Sequence, residues 1–346
     1  MNSSYWLDEH QKHCQSLKLK NDYVKRNITK ASLEVRELFL TQNKNQADID
    51  SFIHEVVLRR IELVLLKSKR LGLLCSGGED SIYLLTILVK NLEIKPKLFC
   101  YQTKNNISDI RRLKKIANIF NLKLFLYDKS NLNRYDAYKK FLEYQKRKPN
   151  DIAQPVHNAL YFQAVEKHHC DVVIDGQFCD TVLLSNPQNH FLFWAGKYPK
   201  FLKYSIRLLS FLPYHKESKI NSRLKYLNDL LSTFNPTEHI FKLINVQNPD
   251  KELIETTEAL IKEFGIQLTF SMFFFYCLLT KRERDKYLLC PKMLSPFDDF
   301  KFAVLANANL DQVLGFFIRK KPIRNLCKKY FPKFFRFQNS LPFELE

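Results

Sequence analysis

Residues 71–81 read Leu71-Gly72-Leu73-Leu74-Cys75-Ser76-Gly77-Gly78-Glu79-Asp80-Ser81, an apolar run that stops at a pair of glycines. A helical pattern over residues 82–92 follows directly. That order predicts a buried strand, a glycine turn and a helix N-terminus, where free backbone N–H groups and the helix dipole converge on an anion. Gly77 and Gly78 let the backbone approach a phosphate closely, while Ser76 and Ser81 add hydroxyl donors. Asp80 would repel phosphate alone, so its natural task is to hold Mg2+ between itself and the phosphates. A plain capped turn is the simpler reading, yet the chain holds only 7 glycines and two stand here. The Gly-Lys-Ser/Thr ending of the Walker loop is absent.

Working outward, Phe52, Ile53, Val56, Val57, Ile61, Val64 and Leu65 fall at helical spacing and predict a helix that feeds the strand at 71–75. Downstream, 96–101 reads as a second strand and 107–120 as an amphipathic helix, with Ile110, Leu113, Ile116, Ala117 and Phe120 on one face. Residues 122–127 give a third strand, 158–167 a helix and 171–176 a fourth strand ending in a turn. Strands alternating with helices predict an α/β fold, a doubly wound parallel sheet with ligands at the strands' carboxyl ends. Past residue 200 strand signals nearly vanish, and helical patterns near 219–233, 250–264 and 268–285 predict a mostly helical C-terminal half. The expected division is a polar, basic, partly helical lead-in at 1–45, an α/β domain at 46–200 and a helical region at 201–346.

The chain is long enough for one large core or two modest ones. A polar N-terminus without an apolar signal core argues against export. The longest apolar run, 272–279, falls far short of the ~20 residues needed to span a bilayer and suits a buried helix. The 8 cysteines include no Cys-x-x-Cys pair, which disfavours structural zinc and iron–sulfur centres and fits reduced thiols in a cytoplasmic protein. His168-His169-Cys170 is the one tempting metal cluster, but neighbours at a helix end point in different directions. The net charge of +19 favours polyanionic partners: nucleic acid, acidic headgroups or nucleotides. The densest basic stretch, 319–336, is interleaved with Phe331, Phe334, Phe335 and Phe337. It reads better as an apolar face flanked by snorkelling lysines than as an RNA-contacting tail.

A second constellation stands at the end of the fourth strand. Gly176-Gln177-Phe178-Cys179-Asp180-Thr181 places Asp180 just past a carboxyl end, as Asp80 is placed. Two carboxylates meeting there could share Mg2+ and position a triphosphate. A turn Asp capping the next helix is the plainer alternative.

The hexapeptide 76–81 resembles the pyrophosphate loop, SGGxDS, of the N-type ATP pyrophosphatases, which split ATP between the α and β phosphates. Residues 176–181 resemble the GEGxDE-like segment of the asparagine synthetase and β-lactam synthetase branch. Leu294-Ser295-Pro296-Phe297-Asp298-Asp299 is similar to that branch's VPFLD segment, with Asp299 in the terminal position. Lys320-Lys321-Pro322-Ile323-Arg324 resembles its K-x-x-x-R stretch, which Phe331-Pro332-Lys333 and Arg336 continue. The similarity runs from about residue 45 to 343 in the family's order.

The resemblance implies an adenine nucleotide α-hydrolase-like fold and a Mg2+-ATP-dependent ligase that adenylates a carboxylate and transfers it to an amine. Ser76, Gly77, Gly78, Asp80 and Ser81 would hold ATP, Asp80 and Asp180 the Mg2+, and Lys320 would take the catalytic position. Lys321, one residue on, could do the same. The basic tail would then fold back on the nucleotide domain. Gln177 stands where the family has Glu or Tyr, and Phe178 and Thr181 replace Gly and Glu. An amide can hydrogen-bond but cannot act as a general base at neutral pH. The 45-residue lead-in is too short for a glutaminase domain, so none is expected ahead of the synthetase-like region. The substrate would be a small-molecule, peptide or sugar carboxylate, with nitrogen from a separate glutaminase, another ammonia source or an amine on the substrate. Two other readings remain. One is a tRNA-modifying enzyme, supported by the charge. The other is a non-catalytic nucleotide-binding scaffold, supported by residues 177, 178 and 181.

Overall fold

The structure is a computed structural model that describes residues 21–41, 49–66, 68–128, 155–183, 235–244, 246, 248–279, 292–299, 302–304 and 320–331. The chain forms two compact units of interleaved sequence: residues 1–42 with 184–281, and residues 43–183 with 282–346. The C-terminal segment from 282 therefore belongs to the same unit as the sheet, not to a separate helical half.

The sheet unit opens with α1 (Ile49–Leu65), whose buried positions Ile49, Ile53, Val57 and Ile61 repeat every four residues. Phe52, expected on that face, is exposed. Next come β1 (Leu71–Leu74), α2 (Glu79–Thr86, closed by a wider turn at Ile87–Asn91) and β2 (Lys97–Tyr101). They lead on to α3 (Ile107–Ile119), β3 (Leu124–Tyr127) and α4 (Pro155–Phe162, extended by Gln163–Lys167). The unit ends with β4 (Val172–Ile174), the short α5 (Cys179–Val182), β5 (Met293–Leu294) and α6 (Lys321–Tyr330).

All five strands are parallel, in the order β3-β2-β1-β4-β5. Both faces of such a sheet are covered, so its strands read as continuous apolar runs. Leu73, Leu98, Phe99, Val173 and Ile174 have no exposed surface, and each contributes about 1.5–3 kcal/mol by leaving water. The strand order reverses between β1 and β4, the place where a parallel sheet opens a crevice at its carboxyl edge.

The other unit is helical in its described residues: Asn21–Thr41, Pro236–Ile244 and Lys251–Met272, the last continued by Phe273–Leu279. The first of these is the helical part of the expected partly helical lead-in, and its Val24, Ile28, Ala31 and Val35 form a fully buried stripe. Lys25 pairs with Asp250 and Glu252, and Arg36 with Glu263, so this helix is tied within its own unit. β5 is a correction, a strand in a region expected to hold none. The helix expected at 219–233 lies outside the described residues. Among the described residues no helix is long and apolar enough to cross a membrane.

Candidate nucleotide and metal site

The turn after β1 owes its shape to Gly77. Its φ of +83° lies in the left-handed region, and a Cβ there would stand 2.4 Å from the Asp109 carbonyl oxygen. Only glycine fits both constraints. The buried Arg112 guanidinium donates to the Gly77 carbonyl at 3.0 Å and pairs with Asp109 at 3.3 Å, fixing the turn from beneath.

Gly78 caps α2 in an extended conformation. Its N–H donates to Ser76 Oγ at 3.2 Å, while Ser81 Oγ donates to the Gly78 carbonyl at 3.0 Å. The two hydroxyls lie 3.4 Å apart. The predicted strand, turn and helix thus stand in that order, with both serines turned to one spot.

Asp80, in the first turn of α2, meets the loop after β4. A Cβ on Gly176 would be 3.2 Å from Asp80 Cβ, so glycine permits that approach. Lys320 closes the arrangement. Its Nζ lies 2.7 and 2.6 Å from the two Asp80 oxygens and 2.9 Å from Asp180 Oδ1. The structure seats Lys320, not Lys321, between these carboxylates. Burial opposes the charge on Lys320, but Asp80 and Asp180 outweigh it and hold the ammonium protonated well above its ordinary range. The backbone of Lys320 is itself left-handed at φ +53°, at the cap of α6, whose first turn holds Pro322. Strain of that kind costs about 1–3 kcal/mol and concentrates at functional positions.

Two further contacts bind α6 to the turn. Arg324 Nε donates to Glu79 Oε1 at 2.6 Å, and Cys327 Sγ donates to the Glu79 carbonyl at 3.7 Å. Burial raises the Glu79 carboxyl above its ordinary range, and Arg324 draws it part of the way back. Glu79 occupies the variable position of the hexapeptide, so its own spacing gave no signal of this partner. Arg112 gave none either, being one basic residue in an amphipathic helix.

The remaining sequence candidates fall elsewhere in the unit. Asp299 pairs with Arg60 of α1 at 3.3 Å, and Phe297 is buried against Tyr83 and Phe302. Phe331 packs edge-on against Phe120 at 5.9 Å, as the packing reading of the tail expects. Phe334, Phe335, Phe337, Lys333 and Arg336 lie outside the described residues. Cys75 and Cys179 are buried, and burial pushes the Cys75 thiol up to about 11 and the Cys179 thiol well above its ordinary value. Both stay protonated, which suits strand-end packing rather than thiolate chemistry. His168 turns to the Tyr127 hydroxyl at 3.0 Å, while Cys170 sits beside Gly72.

No protein-family model matches the chain, and no curated protein does either.

Proposed function

We propose that the chain is a Mg2+-ATP-dependent, AMP-forming ligase that adenylates a carboxylate and passes the acyl group to an amine, as the asparagine-synthetase-like resemblance implies. One observation carries this reading. Asp80, Asp180 and Lys320 meet beside the Ser76–Ser81 turn, where the strand order 3-2-1-4-5 reverses. That order also supports the doubly wound arrangement expected of an adenine nucleotide α-hydrolase-like fold.

The residues present fit a divalent cation. Two carboxylates that both reach one ammonium can both reach one Mg2+, which takes carboxylate and phosphate oxygens as ligands. Bound there, Mg2+ neutralises charge across the phosphates. The N–H groups opening α2 and the hydroxyls of Ser76 and Ser81 receive the pyrophosphate. Lys320 then turns from the carboxylates to the α-phosphate and offsets the charge that builds as a substrate carboxylate oxygen attacks phosphorus and pyrophosphate leaves. In the second step an amine attacks the acyl carbon and AMP departs, with Lys320 again beside the phosphate. Small-molecule, peptide and sugar carboxylates all suit this chemistry.

The test is the thermal shift of the full chain with Mg2+-ATP beside Asp80→Ala. Nucleotide at a hundred times its Kd adds roughly 2.7 kcal/mol of stability, and the variant is expected to lose that gain. ATP–pyrophosphate exchange across L-aspartate, L-glutamate, glucuronate and short peptides then finds the acid class. No shift at millimolar Mg2+-ATP would overturn the assignment. The net charge of +19 favours a second reading, tRNA modification. Tight tRNA binding that weakens steeply with salt would move the function there.

A further inference from the structure

Beside the nucleotide turn stands a second polar cluster that the mechanism above does not use. Asp175, the residue after β4, has no exposed surface, yet its carboxylate is fully engaged. Oδ1 accepts from the Ser295 hydroxyl, at the end of β5, and from the Gln177 N–H at 3.3 Å. Oδ2 lies 2.7 Å from Nε2 of His157, in the first turn of α4. α4 leads into β4 against the strand direction, so its first turn lies at the carboxyl edge of the sheet. Gly176, the next residue after Asp175, lies so near Asp80 that a Cβ on it would stand 3.2 Å from Asp80 Cβ.

We infer that His157, oriented by Asp175, is the proton acceptor for the attacking amine. The inference rests on the ligase reading above. A buried carboxylate on Nε2 takes the proton of that nitrogen in a hydrogen bond and orients the ring, which leaves Nδ1 as the acceptor atom. The same carboxylate stabilises the imidazolium once Nδ1 takes a proton. The Gln177 backbone N–H and the His157 ring stand on the two oxygens of one carboxylate. Asp175 thereby ties an imidazole to the residue whose side-chain amide cannot serve as a base. Ser295 is no nucleophile in this cluster, because its hydroxyl proton points to Asp175 rather than to the imidazole. In the step assigned, the nitrogen–carbon bond forms at the acyl carbon and the carbon–oxygen bond to phosphate breaks. AMP leaves with that electron pair, and the proton passes from nitrogen to Nδ1 and then to water.

The experiment uses the wild-type full chain and two probes, diethylpyrocarbonate, which acylates unprotonated imidazole, and Mg2+ with α,β-methylene-ATP. Peptide mass spectrometry reads labelling at each histidine. His157 is expected to label readily and to be protected at least five-fold by the metal–nucleotide. His168, packed on Phe99 and Phe125, is expected to keep its rate. Equal labelling of His157 in a protein whose thermal shift shows bound nucleotide would overturn the inference and leave the ligase reading intact. Absence of the thermal shift itself would overturn both. With a panel acid that supports pyrophosphate exchange, His157→Gln is expected to retain exchange within two-fold. It should lose amide formation with ammonia at least a hundred-fold, and hydroxylamine, a nucleophile largely unprotonated at neutral pH, should restore most of the product. Equal loss of exchange and amide formation would make His157 a support for the fold and sink the assignment.

Discussion

One ammonium holds two carboxylates together at Lys320, and the charge count there decides what removing it does. Lys320→Met keeps the unbranched apolar stem, one atom shorter, but leaves Asp80 and Asp180 facing each other without a counter-ion. Two such carboxylates take up a divalent cation more readily. We expect Lys320→Met to bind Mn2+ alone at least ten-fold more tightly than the wild type, read by the loss of the free-ion paramagnetic resonance signal. On the proposed ligase reading the same variant should form little or no adenylate, because it lacks the ammonium assigned there to the α-phosphate. Unchanged Mn2+ affinity would mean that the carboxylates do not share a cation. Asp80 and Asp180 could be picked out from sequence as acids just past a strand end, whereas Lys320 came only through the likeness of Lys320–Arg324 to the family's K-x-x-x-R stretch, which left Lys321 open. His157 could not, since its meaning comes from Asp175, which the next strand delivers, and from Ser295, 120 residues further along.

Among the elements, α6 is held to α2 by the ion pair of Arg324 with Glu79, separated by 245 residues of chain. Removing one partner of a buried pair leaves the other charge without compensation, a loss of about 3–5 kcal/mol. Arg324→Ala should show such a loss in denaturant unfolding at neutral pH. The pH dependence has a definite sign. Burial raises the folded-state pKa of Glu79, so the neutral acid is the form that the fold favours. The damage should shrink as pH falls toward the ordinary Glu value of about 4.3, and Glu79→Gln in the same background should remove the pH dependence. Four strands were legible as elements because each is a continuous apolar run between turn residues. β5 was not, because two residues before Ser295-Pro296 carry no periodicity and become a strand only by pairing with β4. The helix Asn21–Thr41 was legible only as part of a partly helical lead-in, without its bounds or its buried face, for another reason. Its stripe includes the small Ala31 and is broken by lysines and arginines, so only packing reveals it.

For the whole molecule, the division into two interleaved units sets what can be cut away. A chain ending at residue 281 lacks β5, Ser295 and Lys320, and β4 becomes an unpaired edge with Val173 and Ile174 exposed to new partners. We expect that truncation to lose cooperative unfolding of the sheet unit and to bind an apolar dye. A truncated chain with an unchanged Tm would refute this dependence. The net charge of +19 belongs to this scale too, governing solubility and long-range attraction of anions rather than the fold. The distance in sequence between Asp80 and Lys320, 240 residues, has a consequence for manufacture. At ~5–20 residues per second of translation, Asp80 leaves the ribosome roughly 10–50 s before its lysine exists. Throughout that interval the nascent chain carries Asp80 without its cationic partner, and residues 184–281 of the other unit are synthesised in between. Until Lys320 is made, water and ions from solution are all that can offset the charge of those carboxylates, and the β4 edge waits equally long for β5.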